Sequence, residues 1–356
     1  MVLGLETEDE VVQAPPKRRG FRGWATWKKA LTVLCVLLLL LAGGTVGGAW
    51  FLYHRYDKKV SREDLLPDAA GVGQTDEQRD ANWKSGPLNL LLLGSDSRDD
   101  EPGGGSSIGE RSDTIMLVHI SKSRNSATII SIPRDSFVNV PAAGNWKGGK
   151  NKINAAFAFG GAKLAASTVH GLTGLPLDGA MIANFESIHT LVDAVDGVNV
   201  CVPYDVRSTF STKVWKAGCH QMEGDEAEEF MRQRKEVPGG DFGRMYNQQL
   251  VVKAVIAKVS KGDLLTDPLK FDGLMSTVAE ALTVDKSLDL QKLALAVKGI
   301  SPGAVKFATV PYTSADLKTF AGTAVQLDMT KADAMFAAVK NDTISQYLVD
   351  HPSLTP

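Results

Sequence analysis

The chain has 356 residues, with 39 Lys and Arg against 41 Asp and Glu, a formal net charge of −2 and 44% hydrophobic residues. That length suffices for one large domain or two small ones with a buried core. The near-even charge balance excludes a globally basic nucleic-acid binder, so any anion binding must come from local clusters.

Residues 1–29 start acidic (Glu6, Glu8, Asp9, Glu10) and turn basic (Lys17, Arg18, Arg19, Arg22, Lys28, Lys29). Residues 30–53 carry no charge, enough apolar length for one transmembrane helix. Trp24, Trp27, Trp50 and Tyr53 flank it as interfacial aromatics do. The basic residues before the span outweigh the mixed charges after it, which places the tail in the cytoplasm and the rest outside. A cleaved signal peptide is the weaker reading, because the stretch exceeds a usual h-region and no Ala-x-Ala site follows. The expected location is therefore the cell membrane, as a single-pass protein with an extracytoplasmic C-terminal domain. Cys35 falls in the span. Cys201 and Cys219 are the two exported cysteines, a pair that suggests a disulfide in an oxidising compartment.

Residues 54–86 read as a stalk or short helix followed by a linker. The apolar run 88–93 predicts a buried strand opening at Gly94 into a Gly/Ser-rich loop. Residues 114–121 and 127–133 predict a hairpin. Helices are predicted at 153–159 and 162–172 with Gly160-Gly161 between, then a strand at 181–185, a helix at 186–195 and a strand at 198–202. Two helices, 224–234 and 244–259, flank the break at Pro238-Gly239-Gly240. Helices at 268–282, 288–299 and 330–348 and a strand at 305–310 complete the chain. Interleaved strands and helices with one antiparallel pair predict a three-layer α/β/α sandwich on a mixed central sheet, one domain over 87–350.

Two acidic-arginine clusters flank the hairpin: Gly94-Ser95-Asp96-Ser97-Arg98 and Arg111-Ser112-Asp113-Thr114. Asp96 follows a buried strand and Asp113 precedes its expected antiparallel neighbour, so the two carboxylates converge on one rim, where ligands of open α/β sheets gather. Two carboxylates with water and phosphate oxygens suit Mg²⁺; capping of loops by Asp is the bland alternative for each. Arg111 and Arg134 at that rim make a fork-shaped anion clamp, or else are surface arginines. Lys152 opens a helix, whose first N–H groups favour anions. Arg232 and Arg234 converge only if their helix ends between them. Arg244 and Gln248, four residues apart, share a helix face, with Asp241 nearby as a cap or an orienting carboxylate. No histidine spacing suits a metal, and no Gly-x-Ser-x-Gly or Walker pattern occurs.

Taken in order, Asn89–Arg98, Arg111-Ser-Asp113-Thr, Ser131-Ile-Pro-Arg134-Asp135, Asn151-Lys152-Ile-Asn154, Arg232-x-Arg234-Lys and Asp241-Phe-Gly-Arg244-x-x-Asn-Gln248-Gln resemble the LytR–CpsA–Psr family. The cysteine pair resembles its actinobacterial branch. The resemblance covers about residues 87–260. It implies a Mg²⁺-dependent phosphotransferase, with Mn²⁺ as an alternative ion. Such an enzyme moves a cell-wall glycopolymer from a polyprenyl-pyrophosphate carrier in the membrane onto a peptidoglycan sugar hydroxyl, and hydrolyses the pyrophosphate when the acceptor is absent. On this resemblance Asp96 and Asp113 hold the metal, and Arg111, Arg134, Lys152, Arg232, Arg234, Arg244 and Gln248 surround the pyrophosphate. Asp96, Arg111, Arg134 and Asp241 form the expected catalytic set, with Asp96 or Asp241 as candidate base. Asn247 departs from the pattern, since many relatives have a further arginine there. The other reading is a non-catalytic envelope receptor for polyprenyl phosphates or glycopolymers. A DNA-binding regulator is excluded on size, because 29 cytoplasmic residues cannot bury a helix-turn-helix core.

Overall fold

The computed structural model describes residues 59–95, 112–261 and 268–355. The expected tail (1–29) and span (30–53), together with Asp96 and Arg111, lie outside them. Among the described residues no helix is long and apolar enough to cross a membrane.

Seven strands form the central sheet in the order Ser61–Glu63, Leu282–Asp285, Gly179–Asn184, Leu88–Ser95, Ser112–Ile120, Ala127–Ser131, Val305–Thr309. Leu88–Ser95, Ala127–Ser131, Gly179–Asn184 and Val305–Thr309 run one way, and the other three run opposite, so the sheet is mixed. The predicted hairpin is present, with Leu117 opposite Ile130 and Ile120 opposite Ala127.

Alternation along each strand sorts the side chains into two faces. Leu91, Leu93, Ile115, Leu117 and Ile130 pack under the helices Ile153–Thr173 and Met329–Lys340, with Phe157, Val169 and Phe336. On the opposite face Leu90, Met116, Ile120 and Ile129 meet the helices Asp241–Lys261, Pro268–Ala281 and Leu290–Val297 through Val252, Ile256, Ala279 and Ala296. Helices therefore cover both faces, giving the expected α/β/α layers. Each fully buried aliphatic side chain contributes about 1.5–3 kcal/mol.

The segment expected as a stalk differs. From Lys59 onward it belongs to the folded unit: Ser61–Glu63 adds an edge strand, and Leu65 and Leu66 are buried in the core. Their backbone N–H groups both donate to the Asp285 carboxylate at 2.9 Å. The helix Asp76–Ser85 then opens with a Thr75–Gln78 capping box. Charged residues spaced along this stretch hid the few buried leucines that fix it. Further on, residues 153–173 form one helix kinked at Gly160 and Gly161, where the predicted break lies; Gly161 has φ +64°, a conformation that favours glycine. The predicted helix at 330–348 is two, Met329–Lys340 and Ile344–Asp350, parted at Asp342, whose φ is +57°.

The strands Val198–Val202 and Gly218–Met222 pair antiparallel, with Cys201 opposite Cys219 and their sulfurs bonded. The sequence separation is 18 residues, so replacing both cysteines with Ala should cost about 3 kcal/mol by loop-closure entropy. Denaturant titration of the double variant checks this; a midpoint equal to that of the oxidised wild type would show that the bond carries no stability.

Candidate functional site

The four co-directional strands end at one sheet edge, and the antiparallel strand Ser112–Ile120 begins there. At that edge the register slips: Gly94 faces Thr114, but Ser95 faces Ser112. Asp113 is thus the extra residue of a β-bulge, a device that re-aims a side chain out of the ladder. Gly94 is required here by close approach, because an added Cβ would stand 2.6 Å from the Thr114 Cβ. Gly94→Ala should therefore destabilise the fold by about 1–3 kcal/mol through overpacking. A melting midpoint unchanged from wild type would show that the bulge yields freely.

Arg134 follows the strand Ala127–Ser131. One of its terminal nitrogens donates to the Asp113 carboxylate, and the other lies 3.2 Å from Asp241 Oδ1. Arg244, one turn into the helix Asp241–Lys261, makes the matching bridge, with Nη1 3.5 Å from Asp113 Oδ2 and Nη2 3.1 Å from Asp241 Oδ1. Arg234 Nη2 lies 2.7 Å from Asp241 Oδ2. Lys152 Nζ lies 3.3 Å from Asp135 Oδ1, and Arg134 Nε 3.8 Å from Asp135 Oδ2. Four cations and three carboxylates thus interlock at the strand ends.

Both Arg134 and Arg244 remain charged, but their surroundings differ. Burial pulls the Arg134 guanidinium down, yet Asp113, Asp241 and Asp135 together hold it above its ordinary value. Arg244 is lowered, first by burial and then by repulsion from Arg134, with Asp113 and Asp241 offsetting part of both. The Nε atoms of Arg134 and Arg244 and the Nε2 of Gln248 are buried donors with no acceptor among the described residues. An unmet buried donor costs about 1–3 kcal/mol, which an anionic ligand would recover.

The structure corrects two details of the sequence reading. The helix Gly224–Arg232 does end at the Arg-x-Arg segment, with Gln233 extended (φ −64°, ψ 131°), but the two arginines part there. Arg234 reaches Asp241, whereas Arg232 pairs with Glu228 at 3.0 Å and lies over the Phe210 ring at 5.2 Å. The helix after Lys152 does not offer its first amides to an anion: Ile153 N–H donates to Ser136 O and Asn154 N–H to Arg134 O. Lys152 therefore contributes its ammonium. Asp241, read as a cap or an orienting carboxylate, takes the second role and is the hub of three guanidiniums.

Other contributors escaped the sequence reading. Gln249 Nε2 donates to Ser131 Oγ at 2.8 Å and to Ala308 O at 3.3 Å, pinning the arginine-bearing helix across two strand ends. Phe242 stacks on Tyr312 with 4.2 Å between ring centroids, linking that helix to the hairpin Tyr312–Thr319/Gly322–Leu327. The partners lie far apart in sequence, and the hairpin alternates too weakly to announce itself.

Two cavities adjoin the cluster. An open one of about 390 Å³ lies between Arg134, Lys152, Arg244 and Phe242 on one side and Ala315 and Thr323–Val325 of the hairpin on the other. The second is apolar and much smaller, about 40 Å³, walled by Leu92, Met116, Ala183, Ile188, Met231 and Val252. Its polar end carries Gly94, Thr114 and Gln248, where Thr114 Oγ1 donates to Gln248 Oε1 at 3.0 Å. Among the described residues no group of three or more His, Cys, Asp or Glu is arranged to hold a metal ion. The donor chemistry of Asp113 still fits Mg²⁺, an ion usually held by one or two carboxylates together with phosphate oxygens and water.

A cluster of arginines and carboxylates at the strand ends of an α/β/α fold, beside one open and one small apolar cavity, has the donor chemistry of an anion site. The chain belongs to the LytR_cpsA_psr family, whose model matches residues 54–341. It is 36% identical over 256 residues to the polyisoprenyl-teichoic acid–peptidoglycan teichoic acid transferase TagU of Bacillus mycoides (strain KBAB4), covering 69% of this chain and 78% of that one. It is 27% identical over 348 residues to the cell wall biosynthesis protein LcpA of Corynebacterium glutamicum, covering 88% of this chain and 65% of that one. Among solved structures, TagT bound to LI-WTA superposes with a TM-score of 0.58 at 26% identity, covering 72% of this chain and 90% of that one.

Proposed function

We propose that this protein transfers a cell-wall glycopolymer from a polyprenyl-pyrophosphate carrier to a peptidoglycan sugar hydroxyl and releases polyprenyl phosphate. The observation that carries the reading is the clamp itself: Arg134, Arg234 and Arg244 braced by Asp113 and Asp241 between an apolar and an open cavity. The transferase activity of the TagU relative and the LI-WTA bound to TagT support it.

Phosphoryl transfer asks a protein chiefly for positioning and for neutralisation of developing charge. The arginines supply both. Held rigid by the carboxylates, they meet the non-bridging oxygens of the pyrophosphate without reorganising during the reaction. Gln248 and Thr114 face the small apolar cavity of about 40 Å³, which would have to widen to take a polyprenyl chain. Asp113, with Asp96, would hold Mg²⁺, which when bound supplies further positive charge to the phosphate oxygens. Arg111, outside the described residues, extends the clamp in this reading, whereas Arg232, paired with Glu228 and lying over Phe210, does not join it. Asp241 organises it, because its oxygens already face three guanidiniums. Residues 30–53 anchor the chain in the membrane that holds the carrier, with the folded unit outside the cell. Without acceptor, water replaces the sugar hydroxyl and the protein acts as a pyrophosphatase.

The test is release of polyprenyl monophosphate from a polyprenyl-pyrophosphate substrate by the full chain in detergent, with Mg²⁺ and with chelator. Chelator-sensitive release is expected. Tight lipid binding with no release under any condition would replace the transferase by a receptor.

A further inference from the structure

We propose that Asp135 takes the proton from the attacking hydroxyl, with the acceptor sugar seated in the open cavity between the clamp and the Tyr312–Leu327 hairpin. This rests on the transferase reading and assigns the base that reading lacks.

Three described carboxylates compete for the role, and their commitments differ. Both oxygens of Asp113 are taken, one by Arg134 and one by Arg244. Asp241 Oδ1 is buried and, although it accepts no hydrogen bond from a described residue, lies 3.2 and 3.1 Å from the terminal nitrogens of Arg134 and Arg244, while its Oδ2 lies 2.7 Å from Arg234 Nη2. A proton placed on either would face two or three guanidiniums. Among the described residues Asp135 faces only the Lys152 ammonium at 3.3 Å and the edge of Arg134 at 3.8 Å, and it lines the open cavity. Its position is fixed independently of its carboxylate. Val325 N–H of the hairpin donates to Asp135 O at 2.8 Å, and Ser136 N–H to Pro133 O at 2.9 Å. The charged hairpin residues Asp316 and Lys318 pair with each other, which leaves Lys152 and Arg134 as the described cations that face Asp135.

The cavities set the direction of attack. They share no lining residue. Asp113, adjacent to Thr114, and Arg244, one turn before Gln248, stand between them. If the apolar cavity, about 40 Å³ as it stands, widens to take the polyprenyl chain, the phosphate leaves on that side. An in-line nucleophile must then arrive through the open cavity, past Asp135. In the step, the acceptor oxygen bonds to the phosphorus that bears the glycan. The bond from that phosphorus to the bridging oxygen breaks, and polyprenyl phosphate departs with the electron pair. The hydroxyl proton passes to Asp135 and later to water.

Asp135→Asn in the full chain tests this, with transfer to a soluble peptidoglycan glycan fragment followed across pH. General-base loss should lower kcat by about 10²–10⁴ and remove the acid limb of the pH–rate profile. Donor-lipid binding and melting are measured on the same variant, so misplacement of Lys152 or Arg134 would appear as weaker binding. Retention of the acid limb, or a rate loss only in proportion to weakened donor binding, would overturn the assignment. A wild-type protein that binds donor but never turns it over would instead remove the transferase reading, a failure visible without the variant.

Discussion

Replacing Arg134 with Ala should lower the rate of polyprenyl phosphate release by about 10²–10³, the usual effect of deleting one preorganised donor to a developing anion. Arg134 is the one guanidinium in contact with all three described carboxylates of the cluster, Asp113, Asp135 and Asp241. Its loss removes a ligand contact and also frees the carboxylates that orient Arg244. Arg134→Lys should recover little, because a single ammonium cannot span Asp113 and Asp241 as the planar fork does. The comparison is made as kcat with saturating donor. A lysine variant within a few-fold of wild type would show that charge alone suffices and would demote the bidentate geometry. Lys152→Ala, removing a charge paired with only one carboxylate, should cost less than either.

The legible parts of this protein are those encoded over short ranges. The leucine run 88–93, the hairpin after it and the Gly160-Gly161 kink follow from local pattern and backbone preference. The clamp was legible because its arginines and aspartates occur in fixed order near strand and helix ends, where the topology gathers them. Its wiring was not. Nothing in Arg232-x-Arg234 tells which arginine turns to Asp241, since that depends on the helix ending at Arg232 and on the return of the chain at Asp241. The Asp113 bulge shows only when Ser112–Ile120 is paired with Leu88–Ser95. The same holds for residues 59–86: their attachment to the sheet depends on Asp285, more than two hundred residues away, accepting from Leu65 and Leu66.

Asp113→Ala should be costly in two separable ways. The carboxylate lies between Arg134 and Arg244, all three side chains being less than one-fifth exposed. Its removal leaves two guanidiniums that already repel each other with one fewer counter-ion. Unpairing a buried charge costs about 3–5 kcal/mol, and the lower end is expected here because Asp241 still bridges both arginines. Turnover should also vanish, through the disordered clamp and, if Mg²⁺ is held there, through the lost ligand. Adding Arg244→Met to Asp113→Ala separates the two effects. The second change removes the uncompensated charge and replaces it with apolar volume, so part of the lost stability should return in a denaturant titration. Turnover should stay absent, since a clamp lacking both groups cannot neutralise the pyrophosphate. If the double variant is no more stable than Asp113→Ala, the Arg134–Arg244 repulsion is not what Asp113 relieves. Its place at the strand end then reflects the bulge geometry alone.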